Sequence, residues 1–251
     1  MGDGNQTRSS ERLIVALDVE TFAEAERLID ELTPMVGGFA IGYMAMAEGW
    51  DRRAVDRIRA AAERKIIFYD PHLNATPRIT AAAVRGYSRW GITHLSVCGT
   101  AGQRSIRAAV ENRGPIDIVV TTVLTSFDEN DIRCEYGRRS DEVVSEHARG
   151  AHLAGAQALL CSPHELKIIR NYSHVGQLKK IVNGIRFREF PLKQEDFQRI
   201  MSPGEAIRSS ADYLLVGRPI VDPPEGIRTP REAVERILEE VASAVDERVM
   251  G

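Results

Sequence analysis

Asp70 and His72 stand two residues apart at the end of an apolar run, in the stretch "KIIFYDPHLNATP" (65–77). The run is partly β-branched and reads as a buried strand. If the strand continues as far as His72, its alternation puts both side chains on one face. A carboxylate beside an imidazole is a candidate acid–base unit. The imidazole titrates near neutrality, and the carboxylate favours its protonated form. The bland reading is a structural strand-end carboxylate with a histidine beside it.

Other reactive residues form no such pair. The histidines His94, His147, His152, His164 and His174 have no metal-like spacing and are expected to be solvated or structural. Cys98, Cys134 and Cys161 are odd in number and read as free thiols in a reducing compartment. Cys98 is expected to pack, because no histidine clearly pairs with it in the sequence.

These residues need elements to place them. Eight short apolar runs cover 12–18, 38–42, 65–70, 94–98, 117–124, 157–162, 179–184 and 212–218. Segments of helical spacing such as "AEAERLIDEL" and "AVDRIRAAAERK" separate them. "SPHE" (162–165), "SPGE" (202–205) and "TPRE" (229–232) each read as a Ser/Thr cap, a proline and a glutamate opening a helix. Strand–helix repeats with short connections predict a parallel sheet, and eight of them predict a closed (β/α)8 TIM barrel of the α/β class in a single domain. An open doubly wound sheet is the alternative, but "ALDVETF" lacks its glycine-rich turn.

In such a barrel the chemistry lies at the C-terminal strand ends. Those ends here carry Asp18, Ala40 to Gly42, Asp70 with His72, Cys98, Thr125 with Ser126, Ser162, Gly184 to Arg186, and Gly217 with Arg218. Asp18 could bind a ligand or simply cap the helix that follows. Tyr69 and Phe197 could line an apolar pocket or pack. The long connection 185–201 is expected to be a lid or binding loop.

The whole chain adds bounds. At 251 residues it can bury a sizeable core, and 43% hydrophobic with 27% charged residues is ordinary globular composition. A net charge of −3 gives no pull toward nucleic acid or an anionic membrane. Residues 1–11, "MGDGNQTRSSE", are expected to be a disordered tail before a barrel spanning 12–251. No signal-like or membrane-spanning run is seen, so a cytoplasmic protein is expected.

The motifs also carry a resemblance. "LIVALDV", "VLTSFDEND", "LLCSPHE", "GIR", "QRIMSPGEAI" and "DYLLVGRPI" fall in order over nearly the whole chain. Together they resemble the orotidine 5′-phosphate decarboxylase family. The resemblance implies a homodimeric barrel without metal or organic cofactor, acting on a pyrimidine ribonucleoside 5′-monophosphate. It makes Arg218 the phosphate arginine and Asp18 a ribose ligand. Ser126 becomes a contact to the pyrimidine edge, and Arg186 and Gly217 join the substrate-binding set. Phe197 stands where the family's phosphate loop usually has glutamine, and Asn183 where proline is usual.

The catalytic array departs further. The family uses Lys–Asp–Lys–Asp, with one lysine on strand two and Asp-x-Lys-x-x-Asp ending strand three. Here Ala40 takes the first lysine's place, Asp70 matches the first aspartate, His72 replaces the second lysine, and Ala75 replaces the second aspartate, the one the family contributes across the dimer. The expectation is therefore an enzyme that keeps ribose-phosphate recognition and runs other chemistry through Asp70 and His72. That chemistry would be decarboxylation of another heterocycle, or glycosidic-bond (phosphoribosyl) chemistry, in nucleotide or nucleoside natural-product metabolism. The alternative is a catalytically inactive nucleotide-binding protein on the same fold.

Overall fold

The computed structural model describes residues 9–172, 175–190 and 197–250. Eight parallel strands close into one barrel in sequence order. They are β1 (Leu13–Ala16), β2 (Gly38–Ile41), β3 (Ile66–Leu73), β4 (His94–Cys98), β5 (Asp117–Thr121), β6 (Ala158–Cys161), β7 (Lys179–Val182) and β8 (Tyr213–Val216). β8 pairs back onto β1 through Leu13↔Leu214 to Val15↔Val216. The expected TIM barrel is thus the observed one, and each predicted run holds a strand.

Helices cover the outside: α1 (Phe22–Leu32), α2 (Tyr43–Ala47), α3 (Asp51–Ala61), α4 (Pro77–Tyr87), α5 (Gly102–Glu111), α6 (Glu129–Tyr136), α7 (Ser140–Ala154), α8 (Glu165–Arg170), α9 (Pro203–Arg208), α10 (Arg218–Val221) and α11 (Pro230–Met250). Among the described residues no helix is long and apolar enough to cross a membrane.

Strand alternation divides the core in two. Ile14, Ala40, Phe68, Val119, Ala158, Leu160, Ile181 and Leu215 fill the barrel interior. Their neighbours, such as Val15, Phe39, Ile67 and Leu214, pack outward against the helices. Burial on both faces is why the strands are continuously apolar rather than alternating with polar residues.

The capping expectations fare unequally. Ser202 caps α9 with a full capping box to Glu205. Thr229 Oγ1 accepts from the Glu232 N–H at the start of α11. "SPHE" does not cap: α8 begins after His164, which offers no side-chain cap, and Glu165 is turned inward at 1% exposure.

The amino-terminal tail lies outside the described residues as far as Arg8. Ser9 and Ser10 already form a helical turn, and Ser9 is buried. His174 and residues 191–196 of the strand-seven loop also lie outside the described residues. The two ends of that loop are joined by a parallel bridge between Ile185 and Met201.

Candidate active site

The alternation that fills the barrel also builds its mouth. On β1 the inward positions run Ile14, Ala16, Asp18; on β2 Ala40, Gly42; on β3 Phe68, Asp70; on β8 Leu215, Gly217. The upper members of each series line a cavity of about 480 Å³, with Ser126, Asn183, Arg186, Phe197 and Arg218 around it. That is the size range of small-molecule sites. Asp18, Asp70, His72, Ser126, Arg186, Gly217 and Arg218 thus line one cavity.

His72 reaches the mouth by a local distortion. The register of β3 on β4 shifts between Tyr69 and Leu73, and His72 has φ of 47°, a left-handed conformation uncommon for a residue with a side chain. Its N–H donates to Ser96 Oγ at 2.8 Å, and its carbonyl accepts from Cys98 Sγ at 3.2 Å. Tyr43 lies nearly parallel to the imidazole, with centroids 6.0 Å apart, and donates to Pro71 O at 2.9 Å. Such strain persists where the surroundings over-determine it, and functional sites are where it concentrates.

His72 Nε2 stands 3.4 Å from Asp70 Oδ1. That oxygen is buried and accepts no well-aligned hydrogen bond from the described residues, so the contact is an ion pair. Burial opposes a charge on His72. Asp70 and the neighbouring Cys98 outweigh it and push the imidazole pKa up to about 10. The nearby Asp70 carboxylate thus favours the protonated imidazole in the mouth. Cys98 proves to have a histidine neighbour after all, supplied by the bulge rather than by sequence proximity.

Asp18 does not cap α1; Thr21 does, in a capping box with Glu24. The Asp18 carboxylate lies between the ends of β2 and β8. A Cβ built on Gly42 would sit 3.4 Å from Oδ1, and one on Gly217 3.1 Å from Oδ2. Although reachable through the mouth, Asp18 is closely walled by protein. Burial and then the Asp70 charge raise its pKa, against the opposing pull of Arg218. A more basic carboxylate is a better acceptor for hydroxyl groups.

The cationic side is formed at β7 and β8. Arg186 is 7% exposed, donates to Ile185 O at 2.8 Å, and holds its guanidinium 4.8 Å from the Phe197 ring. Asn183 accepts from Thr125 Oγ1 at 2.6 Å, tying the β7 end to the β5 end. Phe197 lines the mouth, one of its two expected roles, whereas Tyr69 does not. Tyr69 faces the helices, donates to Asp51 Oδ2 at 2.6 Å and packs on Tyr87 and Trp90.

Sequence reasoning missed several residues. Tyr43, Met44 and Leu124 line the mouth and are exposed there; an aromatic directly after "FAIG" was the available signal. It also missed a buried polar chain behind the β5 and β6 ends. Glu165 contacts Thr122 Oγ1 and the Arg199 guanidinium. Arg199 also donates to Leu124 O at 2.7 Å and Val123 O at 3.3 Å. Burial raises the Glu165 pKa, and Arg199 and Thr122 pull it back. Among the described residues no His/Cys/Asp/Glu group has metal-holding geometry.

Fold and site define a class: a (β/α)8 barrel with carboxylates, a histidine and two arginines facing a small-molecule pocket at its C-terminal end. Comparison with known proteins narrows it. Residues 11–237 match the model of the orotidine 5′-phosphate decarboxylase / HUMPS family. Orotidine 5′-phosphate decarboxylase of Rhodopseudomonas palustris is 36% identical over 241 residues, covering 93% of this chain and 95% of that one. The Moorella thermoacetica enzyme is 32% identical over 243 residues, covering 91% and 93%. The chain belongs to this family. Among solved structures, an uncharacterized conserved protein of Geobacillus kaustophilus superposes with a TM-score of 0.73 at 22% identity, covering 91% of this chain and 99% of that one. Orotidine 5′-phosphate decarboxylase of Lactobacillus acidophilus gives 0.70 at 22%, covering 91% and 98%. Both support the fold.

Proposed function

We propose that this chain is an enzyme that binds a ribonucleoside 5′-monophosphate, or another derivative of ribose 5-phosphate, and that His72 donates a proton to its base in a reaction other than orotidylate decarboxylation. Arg218 and Arg186 take the phosphate. Asp18, which feels the charges of both Arg218 and Asp70, accepts from the ribose hydroxyls. The base then lies over Asp70 and His72, with Ser126 at its edge. The protein acts as a cytoplasmic homodimer without metal or cofactor, and neither nucleic acid nor membrane is a partner.

One observation carries the altered chemistry: among the described residues lining the mouth, none is a lysine. Ala40, 3% exposed, occupies the barrel floor where the family's first lysine stands. Ala75 stands where the family's second aspartate, the one contributed across the dimer, would be, and it carries no charge. An alternating four-charge array is reduced to one ion pair. Groups that act as a unit lose far more than their share when members are removed. The remaining pair still supplies what a proton transfer needs, a cationic donor oriented by a carboxylate. That favours decarboxylation of a heterocycle less demanding than orotate, with the imidazolium protonating the carbon left behind.

The test is a thermal-shift panel of nucleoside monophosphates, nucleosides and ribose 5-phosphate, followed by product analysis on those that bind. Stabilisation by 5′-phosphorylated ribosides, with turnover of one, supports the reading. Carbon dioxide release from orotidylate at rates comparable to those of the family's decarboxylases overturns it.

A further inference from the structure

The buried Glu165–Arg199 pair lies outside the mouth, yet it is tied to segments that line it. Glu165 opens α8, just after β6, and is 1% exposed; Arg199 comes from the strand-seven loop, and its side chain is 11% exposed. Charges this buried are costly, and this pair is satisfied through both guanidinium arms of Arg199, its buried Nε finding no hydrogen-bond partner among the described residues. Arg199 spans the two sides. One arm meets Glu165, and the other caps the carbonyls of Val123 and Leu124. Beside it, the backbone N–H of Gln198 donates to Thr125 O at 3.2 Å. Gly184, at φ of 72°, lets the loop's return pass so close that a Cβ there would lie 2.6 Å from Arg199 O. The polar chain continues behind the sheet. Thr122 contacts Glu165, and Thr122 O lies 2.8 Å from His147 Nδ1.

We infer that Glu165 and Arg199 are positioning residues: their ion pair bolts the strand-seven loop onto the β5 end and so sets Ser126 and Phe197 against each other across the mouth. Neither touches the ligand. They decide where two groups that do touch it can stand. The sequence neighbours make this direct, since Arg199 is two residues from Phe197, and the Leu124 carbonyl it caps is two residues from Ser126. The effect on binding rests on the reading that the mouth takes a nucleotide; the placement of Phe197 does not.

The experiment labels the protein with 4-fluorophenylalanine and assigns the Phe197 fluorine resonance by Phe197→Leu. Arg199→Lys keeps a positive charge but loses the fork that spans Glu165 and the two carbonyls. In the ligand-free protein it is expected to move the Phe197 resonance. With uridine 5′-monophosphate as probe it is expected to weaken binding by roughly tenfold, and Ser126→Ala is expected to cost less in that background than in the wild type, as for coupled neighbours. A merely structural pair would lower the melting temperature while leaving the resonance in place and the two substitutions additive, and that result overturns the inference. Should Arg199→Lys fail to fold, Glu165→Leu with Arg199→Met replaces the buried pair by apolar groups, a change such sites often tolerate, and is read the same way. If the probe binds not even the wild type, the nucleotide reading falls, while the ligand-free resonance still decides the positioning.

Discussion

Asp70 Oδ1 lies 3.4 Å from His72 Nε2, and both come from the end of one strand. The pair therefore needs no second segment to assemble it. The bulge adds a strained backbone to it: His72 holds its ring at the mouth at φ of 47°. A lysine is a flexible point charge. An imidazole is a rigid ring that must be aimed, and Ser96, Cys98 and Tyr43 around it do the aiming.

Turnover should follow the protonation of His72. Asp70 and Cys98 hold its pKa at about 10 despite burial. A proton donor of that basicity stays loaded at neutrality, so turnover should be level through neutral pH and fall as pH rises through about 10. Asp70→Asn removes the favourable charge and should bring the inflection down as well as slow the reaction. The measurement is kcat against pH for both proteins. An inflection that ignores Asp70→Asn would separate the pair.

The same shift couples pH to stability. The folded pKa is raised from 6.5 to about 10. The contribution of protonated His72 is therefore complete below the unfolded value and is lost as pH rises through the folded one. Urea midpoints of wild type and His72→Gln should differ most below pH 6.5 and converge toward pH 10. A gap that widens with rising pH would reverse the sign and rule this coupling out.

Arg218→Ala should weaken a 5′-phosphorylated ligand by roughly 2–4 kcal/mol if the phosphate is desolvated in the mouth. The corresponding nucleoside should bind both proteins alike. Calorimetry on the two ligands separates a phosphate contact from a general loss of structure, which would weaken both.

How much of this was legible beforehand depends on the residue. Asp18, Asp70, Gly217 and Arg218 could be placed because strand period and strand ends alone send them to the mouth, and the barrel follows from counting strands. The bulge at His72 had one signal that went unused: Pro71, inside the strand between Tyr69 and Leu73, which in a barrel without edges points to a bulge. "SPHE" misled because a partner 34 positions along the chain takes its glutamate. Local capping preference lost to a tertiary ion pair. Tyr69 shows the limit of composition: an aromatic beside a site residue points the other way when strand alternation says so.

The lost array should not be recoverable one residue at a time. His72→Lys restores a cation of the family's type beside Asp70. The Ser96 and Cys98 contacts to the backbone of position 72 would persist, but lysine brings no ring to lie against Tyr43. More important, Ala40 and Ala75 are uncharged where the family's first lysine and its second, cross-dimer aspartate would be. Electrostatic stabilisation of a developing carbanion depends on charges held in place by their neighbours. His72→Lys should therefore show no orotidylate decarboxylation above background, and should lose the native reaction by about 10²–10⁴-fold, as His72→Gln should, because one positioned proton donor is worth about that much. Carbon dioxide release from orotidylate is the measurement. Decarboxylation by His72→Lys alone would show that a single lysine suffices, and that the missing partners at 40 and 75 are not what separates this chain from its relatives.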